Sequence, residues 1–402
     1  MKNNGWVLSS LRDLVVLNTK VINDSYPHKV INYLDTASVT NNVFDEPKTI
    51  TLDEAPSRAK RLVSHNDTII STVRPNQKHF GYIYNPPDNL IVSTGFVVVS
   101  PLRIDGKFLY YLLTHDAITE YLNQIAETTT TAYPSFQPNL LYDLEFVIPE
   151  NLPEQRAIAD VLSALDDKIE LNRRMNRTLE QLAQAIYKHM FIDNPEREKW
   201  ERGKMGDIVN VIDCLHSRKP ERVEVGKPFL QLNNITDNGL LDTSELFLIS
   251  EEDYAFWISR IEASPGDCVI TNVGRVGAVS QIPEGFHAAL GRNMTGLRCK
   301  KEYPFPTFLI ETLLSSLMRQ EINNKIDTGT ILDALNVKNI PYLTLKIPPI
   351  TFMQEFELLV RPIRKMMEQN LKESHTLAEL RDTLLPKLMS GQVRVKSGRG
   401  DS

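Results

Sequence analysis

Apolar side chains recur at alternating steps of four and three between Pro153 and Met190. They read Ile158, Leu162, Leu165, Ile169, Asn172, Asn176, Leu179, Ala183, Ile186 and Met190. A step near 3.5 residues is the seam of a coiled coil, and two asparagines interrupt it at its centre. The stretch has no glycine and no proline after its first residue, and it is rich in Ala, Leu, Glu, Gln, Lys and Arg. Such residues lose little side-chain freedom in a helix, and proline suits its first position. Asn194-Pro195 supplies a stop. The pattern predicts one helix about 55 Å long.

The same seam returns 198 residues later as Phe356, Val360, Ile363, Met367, Asn370, Ser374, Leu377, Arg381, Leu384 and Leu388. Asn370 falls where Asn172 stood. The two stretches are expected to pair, with Asn172, Asn176, Asn370 and Ser374 marking the register of an antiparallel coiled coil. Pro362 is expected to kink the second helix or to mark its true start, and Pro386 to do the same near its end.

The blocks preceding the two helices repeat as well. Trp6 stands seven before Asp13, and Trp200 seven before Asp207. Ser64 to Asp67 leads to Ile69, Ile70 and Val73, as Ser264 to Asp267 leads to Val269, Ile270 and Val273. Thr94-Gly95 answers Thr295-Gly296, and Ile148-Pro149 answers Ile347-Pro348. The chain therefore reads as globular module, long helix, globular module, long helix. Within the modules, Leu90 to Ser100 and Cys268 to Asn272 read as strands. Phe108 to Ala126 and Phe305 to Asn323 read as helices, each before a threonine-rich loop. The fold class is α+β.

Composition narrows the function classes. Hydrophobic residues make up 42% and charged residues 24% of 402, which is ordinary for a globular protein. No apolar run is long enough to span a bilayer, and the N-terminus lacks the core of a signal peptide. Three scattered cysteines argue against a disulfide framework and point to a reducing cytoplasm. A net charge of −6 counts against a solitary nucleic-acid binder, though not against one whose partners supply phosphate contacts.

Asn85-Pro86-Pro87-Asp88 is similar to the Asn-Pro-Pro-aromatic motif of adenine methyltransferases, but Asp88 cannot stack on a base, so a proline-rich turn is the better reading. No G-x4-G-K-[ST] loop is present for ATP. Cys214 and His216 stand without a second ligand pair, so no metal is expected.

The string LPEQRAIADVLSALDDKIELNRRMNRTLEQLAQAIYKHMF, residues 152–191, resembles the central conserved region of the specificity subunit of Type I restriction-modification systems. LRDTLLPKLMSGQV, residues 380–393, resembles that family's second conserved region. The resemblance implies two similar α/β target recognition domains, residues 1–151 and 194–350, separated by spacer helices at 152–193 and 351–392. Residues 393–402 would form a flexible tail. The helices would form an antiparallel coiled coil with a pseudo-two-fold internal repeat. Each module would read one half of a bipartite site in double-stranded DNA. The coiled coil would set the gap and dock two methyltransferase subunits, with restriction and translocase subunits joining in the full complex. The chain itself would be non-catalytic and carry no cofactor. S-adenosylmethionine and ATP would belong to the partners, which would methylate a flipped adenine. A specificity module of a Type II-like system, a silent recombination cassette, or a coiled-coil adaptor without DNA are the alternatives.

Candidate DNA contacts follow from side-chain chemistry, because Arg and Lys suit guanine edges and phosphates while Asn and Gln suit adenine. In the first module they are Arg58, Lys60, Arg61, Arg74 and Lys78, beside Gln77 and His79. In the second they are Arg218, Lys219, Arg275, Arg292 and Asn293, beside Arg222. Arg74 and Arg275 both follow aligned valines and are the leading pair. Arg173, Arg174, Arg177 and Lys188 face outward as docking candidates.

Overall fold

The structure is a computed structural model describing residues 5–128, 134–327 and 333–395. Most of both threonine-rich loops and the tail beyond Val395 lie outside these residues. The chain divides into two compact units. Residues 1–167 with 377–402 form one, and residues 168–376 form the other. Each unit holds one module and half of each long helix.

In the first unit, Trp6–Ser10 pairs antiparallel with Glu145–Pro149. One four-stranded sheet runs in the order Val15–Leu17, Phe96–Pro101, Thr68–Ser71, Phe80–Tyr82, antiparallel throughout. A second runs Lys48–Thr51, Val30–Leu34, Leu90–Ser93, Ala59–Leu62, with a parallel pair at its centre.

The second unit repeats this plan. Glu201–Lys204 pairs with Thr344–Ile347. Its antiparallel sheet runs Val209–Asp213, Met294–Cys299, Cys268–Thr271, Val279–Gln281. Its mixed sheet runs Phe247–Ile249, Lys227–Leu230, Ala288–Leu290, Glu262–Ala263, with Lys227–Leu230 parallel to Ala288–Leu290. Small contacts repeat too. Asp67 accepts from the Ser64 N–H at 2.7 Å, and Asp267 from the Ser264 N–H at 2.9 Å. The duplication inferred from scattered matches is thus a duplicated topology.

Three local readings change. Leu90 to Ser100 is two strands, because the chain reverses at Thr94-Gly95 and the halves join different sheets. Each supposed module helix is two, Gly106–Thr114 with Asp116–Glu127, and Pro306–Leu314 with Ser316–Asn323. His115 and Ser315 take extended backbone at the breaks. Each accepts a backbone N–H of the following helix and so caps it.

The third concerns Pro362. The second long helix spans Ile350–Met389, so Pro362 does not mark its start, and neither Pro362 nor Pro386 ends it. Pro362 denies the Leu358 carbonyl its donor, but both residues lie on the exposed face, where solvent can satisfy that group. The helix closes with Gly391 at φ +71°, a left-handed cap that glycine adopts without strain. A side chain there would come within 3.2 Å of the Trp6 ring.

The first long helix spans Leu152–Tyr187, 36 residues or about 54 Å, and ends in one wide turn, Lys188–Ile192. None of the twenty seam positions is exposed. In the first unit, Ile158 and Leu162 share a core with Leu384 and Leu388, while Asp166 meets Arg381 at 2.6 Å and Glu154 meets Arg394 at 2.7 Å. In the second, Ala183, Tyr187 and Ile186 share a core with Phe356, Val360 and Ile363. Rising numbers on one helix meet falling numbers on the other, so the pairing is antiparallel in both units.

The seam asparagines bond across the second unit's helix pair. Asn370 donates to the Asn176 side chain at 2.9 Å, Asn176 to the Met367 carbonyl at 3.0 Å, and Asn172 to Glu373 at 2.8 Å. Asn172 also donates to the Asn370 carbonyl and Ser374 hydroxyl, both at 3.3 Å. These geometrically specific bonds fit one helix register, as polar seam residues do in coiled coils. Asn370→Leu would strand the Asn176 amide oxygen in the seam. We expect a loss of about 1–3 kcal/mol in urea denaturation. An unchanged midpoint would show that these bonds contribute nothing to stability.

Candidate nucleic-acid interface

The candidate contacts of the first module fall into two groups. Arg58, Lys60 and Arg61 lie on or beside the strand Ala59–Leu62, which edges the mixed sheet. Arg58 and Lys60 are exposed. Arg61 is half-buried and donates to the Asn18 side chain, and burial lowers its pKa. Arg61 therefore braces the turn at Asn18 as well as carrying charge. The second group flanks a short 3-10 turn, Pro75–Gln77. Arg74 and Lys78 both take left-handed backbone there, at φ +47° and +54°. Lys78 pairs with Asp116 at 2.7 Å, and the His79 ring contacts the Val39 carbonyl at 2.8 Å.

Arg74 and Arg275 are not structural equivalents. Val73 bridges to Ser135 and Val273 to Ala334, so the residue matching Arg74 is Gly274, also left-handed at φ +91°. Arg275 stands one further along. Its guanidinium donates to the Ile235 carbonyl and the Asp237 carboxylate. Those bonds tie the loop after Leu232–Asn234 to the turn at Gly274, a bracing task invisible in the sequence.

The remaining residues of the second module converge in part. Lys219, Arg292 and Asn293 line one open notch with Gln231, Leu232, Asn233, Phe229 and Gly291. Its volume is about 270 Å³. Lys219 donates to the Gln231 side-chain oxygen at 3.0 Å, and its ammonium sits 4.2 Å from the Phe247 ring centroid. Arg218 is exposed nearby in sequence but does not line the notch. Gln231 and Asn233 were not among the sequence candidates. The string QLNN after an apolar strand was the available signal.

Other candidate sites are occupied by neighbours. Glu170 gathers Arg173 at 2.8 Å and Arg174 and Arg177 at 3.6 Å, and Lys188 pairs with Asp193. Asp213, Cys214 and His216 bring one ligand atom each within 4.8 Å of one another. The Asp213 carboxylate is already shared between His216 and Arg260, and burial pushes the Cys214 thiol up and keeps it protonated. Asn85-Pro86-Pro87-Asp88 is an irregular turn, with Asn85 at φ +42°.

Each module is fastened to the long helices by polar contacts, half-buried in the first unit and buried in the second. In the first unit, Tyr111 donates to Asp166 at 2.6 Å, and Arg381 completes the cluster. In the second, Glu311 pairs with Arg364 at 3.3 Å, and Arg364 also donates to the Gly239 carbonyl at 2.7 Å. The offset of 198 carries Asp166 onto Arg364, and the module repeat carries Tyr111 onto Glu311. The same joint is made with opposite charge on the helix.

Residues 3–181 match the family model described as Type I restriction modification DNA specificity domain. That stretch, a little under half of the chain, is similar to the family. It is 35% identical over 179 residues to the Type I restriction enzyme HindI specificity subunit of Haemophilus influenzae, a match covering 44% of this chain and 38% of that one. It is 28% identical over 344 residues to the MjaIX specificity subunit of Methanocaldococcus jannaschii, covering 79% of this chain and 76% of that one. Its fold is similar to the S subunit of a Type I system from M. genitalium, with a TM-score of 0.56 at 18% identity over 96% and 97% of the two chains. The resemblance to Type I specificity subunits and the architecture of modules and paired helices thus stand as expected from sequence. No helix among the described residues is long and apolar enough to cross a membrane.

Proposed function

We propose that this chain is the sequence-specific DNA-recognition subunit of a Type I restriction-modification complex, working in the cytoplasm without catalysis of its own. Each module reads one half of a bipartite site, and the paired helices set the distance between the halves and dock two methyltransferase subunits. The single observation that carries this reading is the duplicated topology, module and helix twice over, in a family whose matching domain bears the name DNA specificity. Half-sites one turn of DNA apart are about 34 Å from centre to centre, and a helix of about 54 Å leaves room for that gap and for packing at its ends.

The domain boundaries proposed from sequence, 1–151 and 194–350 for the modules and 152–193 and 351–392 for the spacers, belong to this reading. So do the contacts. Arg58, Lys60, Arg74 and Lys78 serve the first half-site, and Arg218, Lys219, Arg292 and Asn293 the second. Arg61 and Arg275 act in part by holding loops in place. The net charge of −6 favours binding as a complex, with partner subunits supplying phosphate contacts along with S-adenosylmethionine and ATP chemistry.

The test is reconstitution with the cognate methyltransferase subunit. Adenine methylation at a two-part sequence, lost when the chain is omitted, is the expected result. Methylation that ignores sequence, or an assembly that binds no DNA, would remove the proposal.

A further inference from the structure

Lys227–Leu230 and Ala288–Leu290 lie side by side and run the same way. Both strands therefore release their chains at one edge of the sheet, and the loops that follow diverge. A crevice outside the carboxyl ends of adjacent parallel strands is where open sheets commonly bind ligands. The notch lined by Lys219, Gln231, Asn233, Arg292 and Asn293 occupies that place.

Its walls are fixed by backbone. The Gly291 N–H donates to the Leu230 carbonyl at 2.9 Å, and a side chain at Gly291 would meet that oxygen at 2.4 Å. Only glycine lets the loop cross so closely over the strand end. Asn293 takes φ +66°, and its carbonyl accepts from the Asn272 N–H at 2.7 Å. The Asn234 side chain accepts from the Gln231 N–H at 2.9 Å and pins the opposite wall.

Lys219, Gln231 and Arg292 each offer donors to the notch, beside the mixed donor and acceptor amides of Asn233 and Asn293. Lysine can only donate, so the Gln231 atom it meets at 3.0 Å is the oxygen, and the amide NH₂ of Gln231 is left for another acceptor. Arg292 is exposed, and among the described residues no carboxylate or carbonyl takes up its guanidinium. A donor-rich rim suits an acceptor-rich edge. In the major groove guanine alone presents two adjacent acceptors, O6 and N7, and the arginine fork matches them.

The corresponding place in the first module is built otherwise. There the parallel strands Val30–Leu34 and Leu90–Ser93 lead into Asp35–Ser38 and Thr94–Gly95. A side chain at Gly95 would come within 2.8 Å of Thr36, so the loops close on each other. Asp35 accepts from the Ala37 and Ser38 N–H groups at 3.1 Å and pairs with Lys48 at 3.6 Å, while the Thr94 N–H donates to the Arg58 carbonyl at 2.7 Å, so the cations here come from neighbouring strands and not from these two loops. Two copies of one scaffold thus differ at this edge in shape and in which elements carry the cations.

We infer that this notch reads a guanine in the second half-site through Arg292, with Gln231 and Asn233 reaching the neighbouring base pair, and that the matching loops of the first module, Asp35–Ser38 and Thr94–Gly95, carry no equivalent arginine. The inference rests on the DNA-recognition reading above.

The probe is a library of duplexes with randomised sequence, selected by the full chain assembled with its methyltransferase subunit. Wild type is expected to enrich two separated blocks. Arg292→Ala should erase the preference at one guanine of one block, leave the other block intact, and weaken binding to the preferred duplex roughly 10- to 100-fold. Arg292→Lys keeps the charge without the fork and should lose the same preference. Equal weakening on every duplex would mark Arg292 as a phosphate contact and overturn the inference, as would an unchanged pattern in both variants. Failure of the wild type to enrich any sequence would instead sink the DNA-recognition reading itself. Arg292 is exposed, so both variants should melt as wild type does.

Discussion

Arg364→Met should lower folding stability by about 3–5 kcal/mol, because it leaves a carboxylate alone in the interior. The Glu311 and Arg364 side chains are 1% and 3% exposed. Glu311 also accepts from the Gln184 amide, and Arg364 from its side bonds the Asn238 carbonyl at 3.2 Å and the Gly239 carbonyl at 2.7 Å. One guanidinium thus closes the joint between the second module and its helix. Burial raises the Glu311 pKa, and the Arg364 charge opposes that rise. Removing Arg364 removes the opposition, so the carboxyl pKa climbs further. A raised pKa contributes stability that is full below the ordinary carboxylate value and is lost as pH rises through the raised one. The loss in the variant should therefore be larger at about pH 8 than at about pH 5. The double variant Arg364→Met with Glu311→Leu should recover most of it, since neither charge of the pair is then left buried without its partner. Denaturant titrations at the two pH values decide the matter. A loss below about 1 kcal/mol, equal at both, would mean solvent reaches the pair.

Phe356→Ala should cost a similar amount, about 3–5 kcal/mol, by opening a cavity. Phe356 is fully buried in the seam, with its ring centroid 5.1 Å from Phe191 and 5.8 Å from Tyr187. Phe191 in turn stacks edge-on to Phe308 of the module at 4.9 Å. The ring is therefore where two helices and a module share one core. Leu358, two residues on, is 79% exposed, and Leu358→Ala should shift stability by no more than about 0.5 kcal/mol. Thermal melts of the two variants side by side make the comparison. Equal melting temperatures would show that the seam register drawn here is misplaced.

The contrast between Phe356 and Leu358 was available from spacing alone, since a step near 3.5 residues singles out one face of a helix. The joint at Glu311 was not. Neither residue of that pair looks unusual in its own stretch, and charged residues at helical spacing ordinarily face solvent. Only the fold brings residue 311 to residue 364. Arg275 teaches the same lesson from the other side. Its sequence neighbourhood marked it as a DNA contact, while the loop at Ile235 to Asp237 supplies acceptors that no local pattern announces. Its proposed match with Arg74 failed by one residue, because a bulky side chain in one module and Gly274 in the other adopt the same left-handed turn.

What the sequence determined by itself was the repeat, the two long helices and their mid-seam asparagines. These are properties of periodicity, and periodicity is written along the chain within a few turns of each residue. What the tertiary structure decided was which loops share an edge. Gln231 and Arg292 are distant in sequence and meet because two parallel strands deliver their ends to the same side of a sheet. Pairing of that kind depends on contacts between remote segments, and side-chain spacing along one segment carries no record of them.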